Sequence, residues 1–249
     1  MDLKNKVALV TGGTKGIGAA TAVLFAEQGA DVAIVGRNDD EEAKKTRQAV
    51  ESAGRKCLLI AADMAKPDDA VRCVRQTHAQ LGRLDVLVHC AGGLVAGRLL
   101  EVKPEDWYAG FDVHVHAIYH LCRAAVPLMR PNKEGAIVLV SSVAGIRGLP
   151  VHIGYQVVKG AIAQFTRALA CELADDHLRV NAVAPGIIRT AFHKNMSPEQ
   201  KNHNLNNRIP LHREGAPEQV AELIRDLAVN DYITGEIVTI DGGLTMRIA

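Results

Sequence analysis

The sequence predicts an α/β chain in which seven parallel strands, covered by helices on both faces, form one doubly wound sheet. Two observations carry this. Short apolar runs at 7–10, 32–35, 57–61, 84–88, 136–140, 180–183 and 237–240 alternate with longer segments whose apolar residues recur at helical spacing, the pattern of repeated β-α units. The runs are nearly all apolar, as strands must be when helices cover both faces. No Pro/Gly/Ser-rich linker and no repeat interrupts the alternation, so residues 1–249 read as a single domain.

The elements follow in order. The strand at 7–10 leads into a helix over 16–28. The strand at 32–35 precedes a charged amphipathic helix over 39–53, which ends at Gly54. A strand at 57–61, a helix over 67–81 and a strand at 84–88 come next. A long helix falls within 104–129, then a strand at 136–140, a helix near 153–174 and a strand at 180–183. A helix after Pro217 and the strand at 237–240 close the pattern. The exception is the stretch from 187 to about 214, polar, rich in Asn and His and without a strand pattern. Stretches of that length are usually lids, binding loops or disordered. This one leaves the carboxyl end of the sixth strand, where ligands bind in such sheets, and is read as a substrate lid.

Composition narrows the class. Lys and Arg number 29 against 28 Asp and Glu, so no basic surface points to nucleic acid and no acidic tail to disorder. Cys57, Cys73, Cys90, Cys122 and Cys171 are odd in number, widely spaced and without a CxxC, which argues against a disulfide framework or structural zinc. Met1-Asp2-Leu3-Lys4-Asn5 leads straight into an apolar run without a signal-peptide pattern. No uninterrupted apolar stretch reaches the roughly 20 residues that span a bilayer. The expectation is a cytoplasmic protein that partners neither nucleic acid nor membrane.

Thr11-Gly12-Gly13-Thr14-Lys15-Gly16-Ile17-Gly18 joins the first strand to the first helix. Glycines let the backbone turn tightly and approach a pyrophosphate, and the helix N-terminus offers free N–H groups at a positive dipole end. In that position the turn marks a Rossmann-type dinucleotide site, the alternative being a turn that only packs. The second strand ends Val35-Gly36-Arg37-Asn38. The acid that would hold the ribose 2′-hydroxyl of NAD is missing, and a guanidinium suited to phosphate stands next. Lys15 adds a second positive charge. NADP(H) is therefore favoured over NAD(H), unless both cations are solvated surface charges.

Tyr155 and Lys159 stand four residues apart, one turn along the same helix face. A free tyrosine has a pKa of about 10 and is a poor base at neutral pH. A nearby ammonium and a positively charged nicotinamide both stabilise phenolate, and a drop of three units needs roughly 4 kcal/mol. Ser142 closes the preceding strand, where its hydroxyl can reach the same crevice. His116 and His120 share a helix face with His114 nearby, but no carboxylate or cysteine pattern completes a coordination shell, and no metal is expected.

The glycine turn, Asp63-Met64 after the third strand, Ala91-Gly92 after the fourth, Ser142, Tyr155 with Lys159, and Pro185-Gly186-Ile187-Ile188-Arg189-Thr190 occur together in order. In that conjunction the chain, from Lys6 to Gly243, resembles a short-chain dehydrogenase/reductase. The resemblance implies that Gly12, Thr14, Lys15, Gly16, Ile17 and Gly18, with Arg37 and Asn38, hold the cofactor. It implies that Asp63, beside Met64, holds the adenine amino group and that Ala91-Gly92 lines the adenosine ribose. Lys159 would bind the nicotinamide ribose, and Ile188 and Thr190, following Pro185 and Gly186, would fix the carboxamide. Tyr155 would act as general acid/base and Ser142 would polarise the carbonyl. The family commonly forms tetramers, which makes a homotetramer (or homodimer) packed through helices 104–129 and 153–174 the expectation.

Two departures stand out. The family usually has Asn-Asn-Ala-Gly after the fourth strand, where this chain has His89-Cys90-Ala91-Gly92. The catalytic Asn of its long helix is replaced here by His114. That Asn is thought to hold a water that relays protons, and an imidazole can donate and accept, giving a relay sensitive to pH. The other reading is that His114 only packs. The resemblance implies hydride transfer between a nicotinamide and the carbonyl or alcohol carbon of a small molecule. A 3-oxoacyl-carrier reductase is the alternative, disfavoured by Asp175-Asp176 after the Tyr/Lys helix, which an acidic carrier would avoid. A catalytically impaired regulatory protein is a third reading, against which intact Ser142, Tyr155 and Lys159 stand.

Overall fold

Each apolar run becomes a strand because neighbouring helices can bury it on both sides, and the computed structural model shows this for residues 1–193 and 196–246. The elements are β1 (Val7–Thr11), α1 (Gly16–Glu27), β2 (Asp31–Gly36), α2 (Glu41–Ser52), β3 (Cys57–Ala61), α3 (Pro67–Leu81), β4 (Val86–His89), α4 (Pro104–Phe111), α5 (Ala117–Met129), β5 (Gly135–Val140), α6 (Ile153–Leu173), β6 (Leu178–Pro185), α7 (Pro198–His203), α8 (Pro217–Val229) and β7 (Ile237–Ile240). The strands form one parallel sheet in the order β3-β2-β1-β4-β5-β6-β7. Strand alternation sends side chains to two cores. Ala8, Val10, Ile34 and Val138 pack with Phe25 of α1 and Ile224 of α8. Leu9, Ala33, Leu87 and Ile137 pack with Val74 of α3, Leu121 of α5 and Ile162 of α6. Each large side chain so buried contributes about 1.5–3 kcal/mol of transfer free energy.

The strand order reverses between β1 and β4, which opens a crevice beyond the carboxyl ends of the strands. The opposite edge is tied by buried polar groups. Asp85, fully buried ahead of β4, accepts from the Val7 backbone N–H at 2.9 Å and from both Nε and Nη2 of Arg83 at 2.7 Å. Arg179 at the start of β6 donates to the carbonyls of Leu227 and Ala228 at the end of α8.

Two segments depart from the expectation. The helix expected over 104–129 is broken by a π-helical turn, Asp112–His116, that separates α4 from α5. The stretch 187–214 carries helical structure: a 3-10 turn at Ala191–His193, then α7, then a π-helical turn at Asn204–Arg208. Residues 194 and 195 of the expected lid lie outside the described residues. The signal for α7 is in the sequence, since Ser197 and Gln200 form a capping box around Pro198. Among the described residues no helix is long and apolar enough to cross a membrane.

Candidate active site

The turn between β1 and α1 leaves room for a group that approaches the backbone itself. Gly12 has φ +64°, and a Cβ there would stand 2.8 Å from the Ala91 backbone nitrogen; one at Gly18 would stand 2.2 Å from the Gly12 carbonyl oxygen. Lys15, the N-cap of α1, places no side chain on the first N–H groups, which therefore face the crevice as donors for an anion. This cradle fits a dinucleotide pyrophosphate. Arg37 and Asn38 are exposed at the end of β2, and Arg37 has no ion pair among the described residues. Lys15, in contrast, lies 3.6 Å from a carboxylate oxygen of Glu42, both more than half exposed. Its charge is shared with that acid rather than aimed at the ribose position alone.

The loops after β3, β4 and β6 complete the groove. Asp63 is half-buried, and its backbone N–H is held by Asp69, itself paired with Arg72 at 2.7 Å; Met64 is buried beside it. Ala91 follows β4, its N–H directed at Thr11 Oγ1 at 3.4 Å. Beyond Pro185, Gly186 donates to the Ile240 carbonyl, Ile188 is buried, and Thr190 Cγ2 comes within 3.3 Å of where a Cβ on Gly16 would be. The segment after β6 thus faces the glycine turn across the crevice.

Ser142, Tyr155 and Lys159 meet where β5 ends against α6. Ser142 Oγ accepts from the Ala144 N–H at 3.1 Å. Lys159 is buried, donates from Nζ to the Val140 carbonyl at 2.7 Å and lies 5.8 Å from the Tyr155 ring centroid. Burial pushes its ammonium down to about 8. Burial also raises the Tyr155 phenol above its ordinary value, against a hydrogen bond with Ser142 that lowers it. The protein alone therefore keeps Tyr155 as neutral phenol, the form of an acid that protonates a carbonyl oxygen.

His114 enters from the π-helical turn. Its Nε2 lies 2.9 Å from the Gly93 carbonyl oxygen and its ring packs edge-on to Tyr155, centroids 6.1 Å apart. Burial, aided by Lys159, pushes its pKa down to about 2. An imidazole so disfavoured as a cation bears against the pH-sensitive relay expected of it. His116 instead bonds Asp112 at the exposed surface, so the histidines of this helix do not converge. Among the described residues no group of three His, Cys, Asp or Glu is placed to hold a metal.

Two residues make contacts at the site that the sequence does not foretell. His89, buried at the end of β4, bonds Thr11 Oγ1 at 2.8 Å through Nδ1 and the Val113 carbonyl at 3.1 Å through Nε2, bracing the π-helical turn against β1. Phe192, from the 3-10 turn after β6, packs on Tyr155 at 5.9 Å. No local pattern announces either contact.

A dinucleotide cradle at a strand-order reversal, opening onto a Ser-Tyr-Lys cluster, defines a nicotinamide-dependent oxidoreductase. A family model described as enoyl-(acyl carrier protein) reductase matches residues 12–245. The chain is 37% identical over 244 residues to a 3-oxoacyl-[acyl-carrier-protein] reductase of Chlamydia muridarum, covering 97% of this chain and 98% of the relative. It is 38% identical to glucose 1-dehydrogenase of Gluconobacter oxydans, covering 97% and 92%. Blue fluorescent protein from a metagenomic library, solved in complex with NADPH, matches with a TM-score of 0.92 at 33% identity, over 98% of this chain and 100% of that one. A short-chain type dehydrogenase/reductase from Mycobacterium marinum gives 0.91 at 32% identity, over 99% and 98%. The chain belongs to the short-chain dehydrogenase/reductase family, as an NAD(P)-dependent oxidoreductase acting on CH–OH groups.

Proposed function

We propose that the protein is an NADP(H)-dependent reductase of small ketones, running also as an alcohol dehydrogenase. The observation that carries the cofactor choice is Arg37, exposed beside Gly36 and without an ion pair among the described residues, with no acid at the end of β2. Hydride comes from the nicotinamide when bound. Ser142 orients the carbonyl oxygen, Tyr155 supplies its proton, and the buried Lys159 holds positive charge beneath the phenol. His114 occupies the fourth position of the cluster as a neutral imidazole. The segment 187–214 is the substrate lid of this reading, supported by the contact of Phe192 with Tyr155. A cytoplasmic homotetramer (or homodimer) built on α4–α5 and α6 belongs to the same reading. Its supports are the exposed Tyr108, Tyr119 and Val157 on those helices and five free cysteines; sedimentation of the purified protein tests the assembly.

A 3-oxoacyl thioester is the second substrate reading, favoured by the Chlamydia relative. The acidic pair that argued against it weighs less than expected. Asp176 is neutralised by Arg130 at 2.8 Å, and the pair follows the C-terminal end of α6, whose 21 residues span about 30 Å from the end bearing Tyr155. The deciding experiment is NADPH oxidation with a panel of ketones, ketoses and 3-oxoacyl thioesters, repeated with Tyr155→Phe. Turnover should fall by at least a hundredfold in that variant while NADPH affinity stays within threefold. Retention of a tenth of kcat would remove Tyr155 from its role.

A further inference from the structure

His114 is 1% exposed and touches three parts of the site. Its Nε2 meets the Gly93 carbonyl, and its ring stands at 81° to that of Tyr155. Its Cε1 lies 2.1 Å from where a Cβ at position 92 would be, so the Gly92 backbone, at φ +156°, closes directly on the imidazole. Nε2 lies 2.9 Å from the Gly93 carbonyl oxygen and 3.2 Å from the Gly93 backbone nitrogen, and Nδ1 has no partner among the described residues. A relaying imidazole must take a proton on one nitrogen and release one from the other. Here Nε2 meets only the backbone amide groups of Gly93, which are no base.

We infer that His114 is a positioning residue, a wedge set between the Gly92-Gly93 backbone and the Tyr155 ring that fixes the phenol in place and covers it from water. The inference rests on Tyr155 being the acid of the proposed reaction. A ring is what the position requires, and an asparagine, the family's residue there, would leave the edge of the phenol uncovered. The groups named around that phenol are Ser142, Lys159, His114 and Phe192.

The test compares wild type with His114→Phe, His114→Asn and His114→Ala. Kinetics are measured on the ketone that wild type reduces fastest. The ionisation of Tyr155 is followed by ultraviolet absorbance, as the difference from the same chain carrying Tyr155→Phe. The wedge predicts that Asn and Ala lose at least tenfold in kcat with NADPH affinity within threefold, and that Phe keeps a third or more. It also predicts that the Tyr155 midpoint falls by half a pH unit or more in Asn and Ala and stays in place in Phe. An Asn variant with near-wild-type kcat and an unmoved midpoint overturns the wedge, and decides the matter even should Phe fail to fold. Absence of turnover on every ketone would sink the reductase reading, while the titration would still judge the wedge.

Discussion

At the scale of single residues, the proposed preference for NADP(H) rests on charge and space. Charge-assisted hydrogen bonds from Arg37 to a 2′-phosphate are worth roughly 1.5–3 kcal/mol when well formed, less when exposed. Arg37→Ala should therefore cut kcat/KM for NADPH about tenfold or more and leave NADH nearly unchanged, measured at fixed ionic strength. Installing an acid at Gly36 is the obvious converse, but a Cβ there would stand 2.6 Å from Cγ2 and 2.7 Å from Oγ1 of the buried Thr14. Gly36→Asp should lower thermal stability by about 1–3 kcal/mol as an overpacked site, and Thr14→Ala should recover part of it in the double variant. A lone Gly36→Asp with unchanged melting would show that Thr14 yields freely. Lys159 gives a pH prediction. Its pKa is lowered to about 8, so the cation is present below that pH and lost above it. Ketone reduction should decline with rising pH along a limb near 8, and a profile flat to pH 10 would mean that the ammonium is not needed.

Among the elements, strands were the most legible. β3 and β7 have the expected bounds, and the others differ by a few residues at their ends, because an apolar run buried on both faces has little else it can become. The helix over 104–129 was legible as apolar spacing, but its π-helical turn was not. A π-turn shifts hydrogen bonds by one residue without changing which residue types suit a helix, and the bond from His89 to Val113 that braces it joins positions 24 apart. Ser142, Tyr155 and Lys159 were legible as motif, whereas the neutral state of His114 depends on burial that only the folded chain supplies. β4 begins at Val86, two residues after the expected start, although the Asp85 backbone already bonds the Val7 carbonyl and the Ala136 N–H on either side. Asp85 is a strut between β1, β4 and Arg83. Asp85→Ala should cost about 1–3 kcal/mol by leaving the buried Val7 N–H without its acceptor while the half-exposed Arg83 turns to solvent, read as a lower urea midpoint. A change under 1 kcal/mol would show that water replaces the carboxylate.

For the whole molecule, binding and folding are linked because the cradle exists only when β1, β4 and β6 are assembled. A cofactor at a hundred times its dissociation constant stabilises by about 2.7 kcal/mol, or about 5–10 °C in a domain of this size. NADPH should raise Tm in that range, and NADH at equal concentration should raise it less; equal shifts would remove the preference. The parallel sheet also separates two kinds of risk. Every loop that touches the chemistry leaves the carboxyl edge of a strand, and the Asp85 and Arg179 struts all lie at the amino edge. Evolution, or a mutagenesis library confined to the segments that follow β4, β5 and β6, can therefore search for new substrates on one rim while the struts that hold the scaffold stand at the other.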